Sequence, residues 1–141
     1  MNLLLVEDNA EDVTLIRTAL EELALPLRLS VLHYGASVLP FLRRHKPYER
    51  APRPDLILLD LHLPTTDGRE ILAELQRDPA LRDIPVVVLT SSADPQDIAQ
   101  CAALGAQAYL VKPLEWEPFA AVVKSTVEFW RACEFRKLAK Q

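Results

Sequence analysis

The stretch DLILLDLHLPTTDG, residues 55–68, decides how the rest of the chain is read. Leu56, Ile57, Leu58 and Leu59 run without polar alternation, the pattern of a strand covered on both faces, as in a parallel sheet between helices. Asp60 follows, and a carboxylate at the end of so apolar a run is costly to bury unless charge or hydrogen bonds answer it. Beyond it Pro64, Thr65 and Thr66 break the pattern. Asp67-Gly68-Arg69-Glu70 then has the form of a capping box opening a helix over Ile71, Leu72 and Leu75. The segment predicts a buried strand, an acid at its carboxyl end, a short loop and a helix.

Three further runs share this unbroken character: LLLV (3–6), VVVL (86–89) and AYLV (108–111). LRLSVLHY (27–34) alternates instead, as a half-covered edge strand does. Helix signals fill the intervals. Asn9 caps a helix with Asp12 at its third position and Val13, Ile16, Leu20 and Leu23 on one face. Asp94-Pro95 opens another, which Gly105 ends, and the last helix runs from about 116 to 132. A helix over 38–44 must hold Pro40 in its first turn, and 45–55, with three prolines, reads as irregular loop. Strand then helix, five times over, predicts an α/β fold with right-handed crossovers. The expected form is a flavodoxin-like, doubly wound, five-stranded parallel sheet of order 2-1-3-4-5 with five helices.

In such sheets ligands bind beyond the carboxyl ends of the strands. Glu7 and Asp8, Asp60, Thr90 and Lys112 each follow or end a different one of the unbroken runs, so the fold would bring them to one edge. Crowded carboxylates disfavour one another's ionised form, and a single lysine cannot offset three of them. A hard divalent cation is the natural counter-charge: Mg²⁺, with Mn²⁺ able to substitute, on Asp8 and Asp60 directly and on Glu7 through water. Metal and lysine together would neutralise a phosphoryl group, and a carboxylate there could take one as an aspartyl phosphate.

LLLVEDN (3–9), DLILLDLHLPTTDG, VVVLTSS (86–92) and AYLVKP (108–113) resemble, in order and spacing, the four signature segments of the receiver domains of two-component response regulators. The resemblance covers essentially the whole chain. It implies that Asp60 accepts a phosphoryl group from a sensor histidine kinase. It further implies that Glu7, Asp8, Asp60 and the backbone carbonyl of His62 hold Mg²⁺, that Thr90 and Lys112 bind the phosphoryl oxygens, and that the Lys112–Pro113 peptide is cis. Tyr109 aligns with an aromatic switch that turns inward when Thr90 moves toward the phosphate. YERAPRPDLILLDL (48–61), DPALRDIPVVVLTSS (78–92) and Phe129-Trp130 resemble more closely the response regulators partnered with bacterial and cyanobacterial phytochromes, which makes a bacteriophytochrome the expected kinase. His62 stands where asparagine is common in that subfamily, and so becomes a candidate for setting the phosphoryl lifetime.

With 141 residues, half of them apolar, the chain is expected to form one receiver domain over 1–132 and a short tail over 133–141, without an output domain. Output would then pass by contact, to a histidine phosphotransfer protein or another downstream protein. The net charge of −4, with FRKLAK (135–140) a short basic stretch at the end, argues against nucleic acid. The opening apolar run stops at two acids, too soon for a signal peptide, so a cytoplasmic protein without membrane contact is expected. Cys101 and Cys133, and His33, His45 and His62, lack metal-ligand spacing.

A phosphohydrolase of the haloacid dehalogenase type would need a second acid where His62 stands. A non-phosphorylated pseudo-receiver scaffold would normally have lost an acid or the lysine. The reading is therefore a switch and not an enzyme, with only slow autodephosphorylation. The last helix carries two apolar stripes: Trp116, Phe119, Ala120, Val123, Val127 and Trp130, and beside them Val122, Thr126, Phe129 and Cys133. One stripe serves the core, and the second predicts a homodimer through the face of the fourth helix, fifth strand and fifth helix, with Phe129 near its centre.

Overall fold

The computed structural model describes residues 1–139, and the chain order of its elements follows the strand–helix alternation. Five strands form one parallel sheet: β1 (Asn2–Val6), β2 (Arg28–Leu32), β3 (Leu56–Leu59), β6 (Val86–Thr90) and β7 (Ala108–Val111). Between β3 and β6 lie two short strands, β4 (His62–Leu63) and β5 (Thr66–Asp67), paired antiparallel as a separate hairpin. The helices are α1 (Ala10–Glu21), α2 (Val38–Leu42), α3 (Gly68–Arg77), α4 (Pro95–Ala103) and α5 (Trp116–Ala139), with a 3₁₀ turn at Gly35–Ser37 before α2. The sheet order is β2-β1-β3-β6-β7, the expected 2-1-3-4-5 once the hairpin is set aside.

Why the runs lack alternation is plain from the two cores. Leu4, Val6, Ile57, Leu59, Val86 and Val88 point to the side covered by Val38 and Phe41 of α2, Ile71, Leu72 and Leu75 of α3, and Cys101 of α4. Leu3, Leu5, Leu56, Leu58, Val87 and Leu89 point to the other side, against α1 (Val13, Ile16, Ala19, Leu20) and α5 (Phe119, Ala120, Val123, Val127). Each aliphatic position of β1, β3 and β6 from these two sets therefore has a helix above or below it, and each buried aliphatic side chain contributes about 1.5–3 kcal/mol by leaving water, whereas β7 at the far edge is only half-covered. The edge strand β2 is less covered, and it is the one that alternates.

Asn9 caps α1 by accepting from the Asp12 amide at 3.0 Å, and Asp94 caps α4 by accepting from Gln96 at 2.9 Å with Pro95 opening the helix. Asp67 caps α3 by accepting from the Arg69 amide at 2.9 Å, but the Arg69 guanidinium, not Glu70, closes on its carboxylate. Gly105, with φ +92°, ends the α4 segment in a left-handed turn that a side chain would strain.

Four features differ from the sequence reading. The loop after Asp60 is a hairpin whose turn holds Thr65 at φ +60°. Two-residue strands carry no period to read. Helix α5 does not stop near residue 132 with a tail beyond it. It continues through Ala139, because Cys-Glu-Phe-Arg-Lys-Leu-Ala contains no glycine or proline to end it. Lys140, the last residue of the basic stretch, and Gln141 lie outside the described residues. The Lys112–Pro113 peptide is trans, the intrinsically favoured isomer, with Lys112 held through its own amide to the Thr90 carbonyl at 2.7 Å; the cis peptide is Lys46–Pro47. The second stripe of α5 is only partly open: Phe129 is 58% exposed, but Thr126 is buried, with its hydroxyl donating to the Val122 carbonyl at 2.7 Å.

A β-branched residue in the left-handed region is strained, whereas asparagine tolerates it. Thr65 is exposed. Thr65→Asn is expected to stabilise the fold by ~0.5–1 kcal/mol in urea unfolding; an unchanged or lower midpoint would show that the turn carries no strain.

Candidate metal and phosphoryl site

The parallel register brings the carboxyl ends of β1, β3, β6 and β7 to one edge. Val6 pairs with Leu59, Leu59 with Val88, and Thr90 with Val111, so the residues that follow these strands emerge side by side. The main chain continues the ladder past the strands: the Asp60 amide donates to the Val6 carbonyl at 3.1 Å and the Glu7 amide to the Leu32 carbonyl at 3.0 Å. Gly68 is part of the same construction. A Cβ there would lie 2.9 Å from the Asp60 carbonyl oxygen and 2.8 Å from Leu61 Cα, so the first residue of α3 fits against the backbone of the acid only without a side chain.

Glu7, Asp8 and Asp60 meet as the sequence proposed, with one carboxylate oxygen from each lying within 4.8 Å of the others. Glu7 and Asp60 are buried and Asp8 is exposed. An all-oxygen donor set with one open side is what a hard divalent cation takes while keeping part of its water. His62, whose carbonyl the sequence nominated as a further ligand, follows closely, and its amide donates to Asp60 Oδ1 at 3.2 Å. Its side chain is exposed, beside an open groove of about 580 Å³ lined by Asp8, Leu61, Leu63 and Pro64 through Asp67.

Lys112 supplies the positive charge. Its Nζ donates to Glu7 Oε2 at 2.6 Å, Asp12 Oδ2 at 2.9 Å and Asp60 Oδ2 at 3.2 Å. Burial alone would lower the lysine pKa, but the hydrogen bonds to Glu7 and Asp12 and the charges of Asp60 and Glu7 outweigh it and raise it. Burial pushes the Glu7 carboxyl up to about 7, with the Asp60 charge adding to the effect and Lys112 opposing it. The acids outnumber the ammonium, and the most buried of them takes the strain.

Thr90 is fully buried, and its hydroxyl, among the described residues, finds no hydrogen-bond partner. A buried unpaired donor loses on the order of 1–3 kcal/mol, so its presence at the site edge calls for an acceptor that arrives with a ligand. Tyr109 is half-buried on β7, and its hydroxyl donates to the Ser92 carbonyl at 2.7 Å. Burial raises its pKa. Ser92 is tied in turn to Asp97 of α4 at 2.6 Å, and Asp97 to Arg69 of α3 at 3.2 Å. The loop after Thr90 is thus held from two helices.

Two participants escaped the sequence reading. Asp12 was visible only as a cap position, since nothing local shows that its side chain reaches Lys112. His33, which lacks any ligand spacing, has Nδ1 at 3.2 Å from the Glu7 carbonyl oxygen. Val122, Thr126, Phe129 and Cys133 take no part. Phe129 and Cys133 instead line a cleft of about 470 Å³ with Arg53, Asp55 and Asp83, residues that precede β3 and β6 and so lie toward the amino ends of those strands.

The profile of the response regulator receiver domain matches residues 3–124. The chain is 40% identical over 128 residues to the response regulator Rcp1 of Synechocystis sp., covering 91% of this chain and 87% of that one. The crystal structure of the phosphorylated cyanobacterial phytochrome response regulator RcpA superposes with a TM-score of 0.89 at 41% identity over 94% of each chain. The crystal structure of the Mn²⁺-bound form of Rcp1 gives 0.87 at 40% identity, over 92% of this chain and 93% of that one. The acidic cluster here is consistent with Mg²⁺ or Mn²⁺.

The raised Glu7 value fixes a sign for the metal-free protein. Between the ordinary value of 4.5 and about 7, the folded state holds a proton that the unfolded state has released. Stability therefore falls as pH rises through that window. In EDTA, the urea midpoint of wild type is expected to drop from pH 5 to pH 7.5 more than that of Glu7→Gln. Parallel pH profiles would exclude Glu7 as the source.

Proposed function

Because the chain belongs to the response regulator receiver domain family, we propose that it is a signalling switch that accepts a phosphoryl group on Asp60 from a sensor histidine kinase. The observation that carries this reading is the pairing of an answered acid with an unanswered hydroxyl. Asp60 lies at the acid cluster with Lys112 at 3.2 Å, while the Thr90 hydroxyl is buried without a partner among the described residues. An Asp60 oxygen forms the new P–O bond as the donor's P–N bond breaks. The Lys112 ammonium neutralises a phosphoryl oxygen, and the Thr90 hydroxyl donates to another. Mg²⁺ on Glu7, Asp8, Asp60 and the His62 carbonyl, when bound, offsets the charge that accumulates on these oxygens.

Drawing Thr90 inward pulls on the loop that holds Ser92, and with it on the hydroxyl of Tyr109. That gives the Thr90/Tyr109 pair its switch role and biases the α4 surface between two arrangements. A receiver of this kind signals by contact and turns nothing over, apart from slow loss of its own phosphoryl group. The exposed His62 ring, next to the groove, is positioned to affect how water reaches the acyl phosphate.

The solved relatives named for phytochrome and bacteriophytochrome signalling make a bacteriophytochrome the favoured kinase, with a histidine phosphotransfer protein or another downstream protein as recipient. Among the described residues no helix is long and apolar enough to cross a membrane, which fits a cytoplasmic partner. Phe129, 58% exposed and edge-on to Trp130 at 4.9 Å between ring centroids, supports self-association through the face of α5. The half-buried Val122 and Cys133 would flank it, whereas Thr126 is buried and takes no part.

Incubation with Mg²⁺ and a small phosphodonor, read by intact mass, should add one phosphoryl group to wild type and none to Asp60→Asn. No gain in wild type, or equal gain in both, would end the phosphoacceptor reading. In sedimentation at micromolar concentration, wild type should run as a dimer and Phe129→Asp as a monomer. Identical monomeric profiles would remove the dimer.

A further inference from the structure

Asp12 is the acid at this edge that the metal cluster leaves out, and it faces Lys112 from the first turn of α1. Its main chain is fixed by the cap, with its amide donating to Asn9 Oδ1 at 3.0 Å, and this aims its carboxylate at Lys112 Nζ, 2.9 Å away. An ammonium has three N–H donors. At Lys112 all three are taken, by Glu7 at 2.6 Å, Asp12 at 2.9 Å and Asp60 at 3.2 Å. A phosphoryl oxygen can reach this lysine only by displacing one of them.

The three acids are not equal in how readily they yield. Glu7 is 1% exposed, and its other oxygen already accepts from the Asn9 amide at 3.1 Å, so a released Glu7 would have little water to turn to. Asp60 carries the phosphoryl group itself. The Asp12 side chain is 25% exposed and can be rehydrated where it stands. It is the partner whose release costs least.

We infer that Asp12 is a positioning residue for Lys112: it holds the ammonium in the unmodified site and competes for it with the phosphoryl oxygens. Asp12 thereby sets how firmly the modified state is held. The inference rests on the phosphoacceptor reading of Asp60 and adds to it a residue outside the metal cluster. The charge balance supports the same direction. Glu7, Asp12 and Asp60 share one ammonium, and Asp8 adds a fourth carboxylate beside Glu7 and Asp60. The Asp12 charge therefore favours a cation at the cluster and opposes an anion on Asp60.

Opposite effects on cation and anion separate this role from simple support of the fold, which would weaken both ligands together. Asp12→Asn keeps the shape and an acceptor oxygen but removes the charge; Asp12→Ser removes the reach as well; Asp12→Glu restores the charge. Calorimetric titration with Mg²⁺ alone, and then with beryllofluoride at saturating Mg²⁺, reads both ligands. For Asp12→Asn and Asp12→Ser, Mg²⁺ binding should weaken about threefold and beryllofluoride binding tighten about fivefold, with Asp12→Glu returning toward wild type. If wild type binds beryllofluoride and both neutral variants bind it equally or more weakly, the inference is overturned while the phosphoacceptor reading stands. If wild type does not bind it at all, that reading fails and the inference with it.

Discussion

The Lys112 ammonium among three carboxylates is the interaction around which the carboxyl edge of the sheet is organised. Glu7, Asp12 and Asp60 come from the end of β1, the start of α1 and the end of β3, and all are within hydrogen-bond reach of one Nζ from the end of β7. Buried ion pairs of this sort add little net stability, because desolvation offsets most of the attraction. Their value lies in geometry. Acids that would repel one another are kept close enough to share a cation, and the lysine is held within reach of whatever is placed on Asp60. The strictly parallel sheet makes this possible, since only parallel strands deliver all their carboxyl ends to the same side.

Much of this was legible in the sequence, and the reason is local. The unbroken aliphatic runs of β1, β3 and β6 can only be strands covered on both faces, and their sequence order with the intervening helices leaves few topologies. The polar residues that end these runs are then brought together by the fold itself, so Glu7, Asp8, Asp60, Thr90 and Lys112 could be named without coordinates. What stayed hidden was long-range or aperiodic. The Asp12 side chain pairs with a residue 100 positions away, and at a helix start an acid already has a sufficient local explanation as a first-turn charge. The β4–β5 hairpin has too few residues for a pattern. The α5 stripes misled for a different reason: a 3.6-residue period identifies which residues share a face, not which neighbours cover it. Thr126 is accordingly buried where an open surface was expected.

The polar chain that runs Arg69–Asp97–Ser92–Tyr109 gives the site a route outward. Arg69 lies in the first turn of α3 and pairs with the cap Asp67 at 2.6 Å, and the same guanidinium reaches Asp97 at 3.2 Å and also Gln100 on α4. Asp97 then holds the Ser92 hydroxyl, and the carbonyl of that same residue accepts from Tyr109. The residue pair that opens the helix behind Asp60 is thus linked, side chain by side chain, to the loop that follows Thr90. Interlocked hydrogen bonds of this kind tend to hold or give as a group. On the proposed switch reading, the loop would then move with this chain of bonds as one unit.

The separation along the chain of the groups at this edge has a consequence for how the protein is made. Glu7 and Lys112 stand 105 residues apart, and the sheet that joins them is closed only when β7, the last strand, takes its place beside β6. During synthesis the acids of β1 and β3 can come together first, but they do so without the ammonium that balances them. Non-local parallel pairings of this kind form late and slowly in folding. A partly emerged or partly unfolded chain therefore has Asp60 but not the balanced site around it. If Asp60 takes a phosphoryl group as proposed, that capacity marks a finished molecule, and immature copies would stay silent in any pathway that reads it.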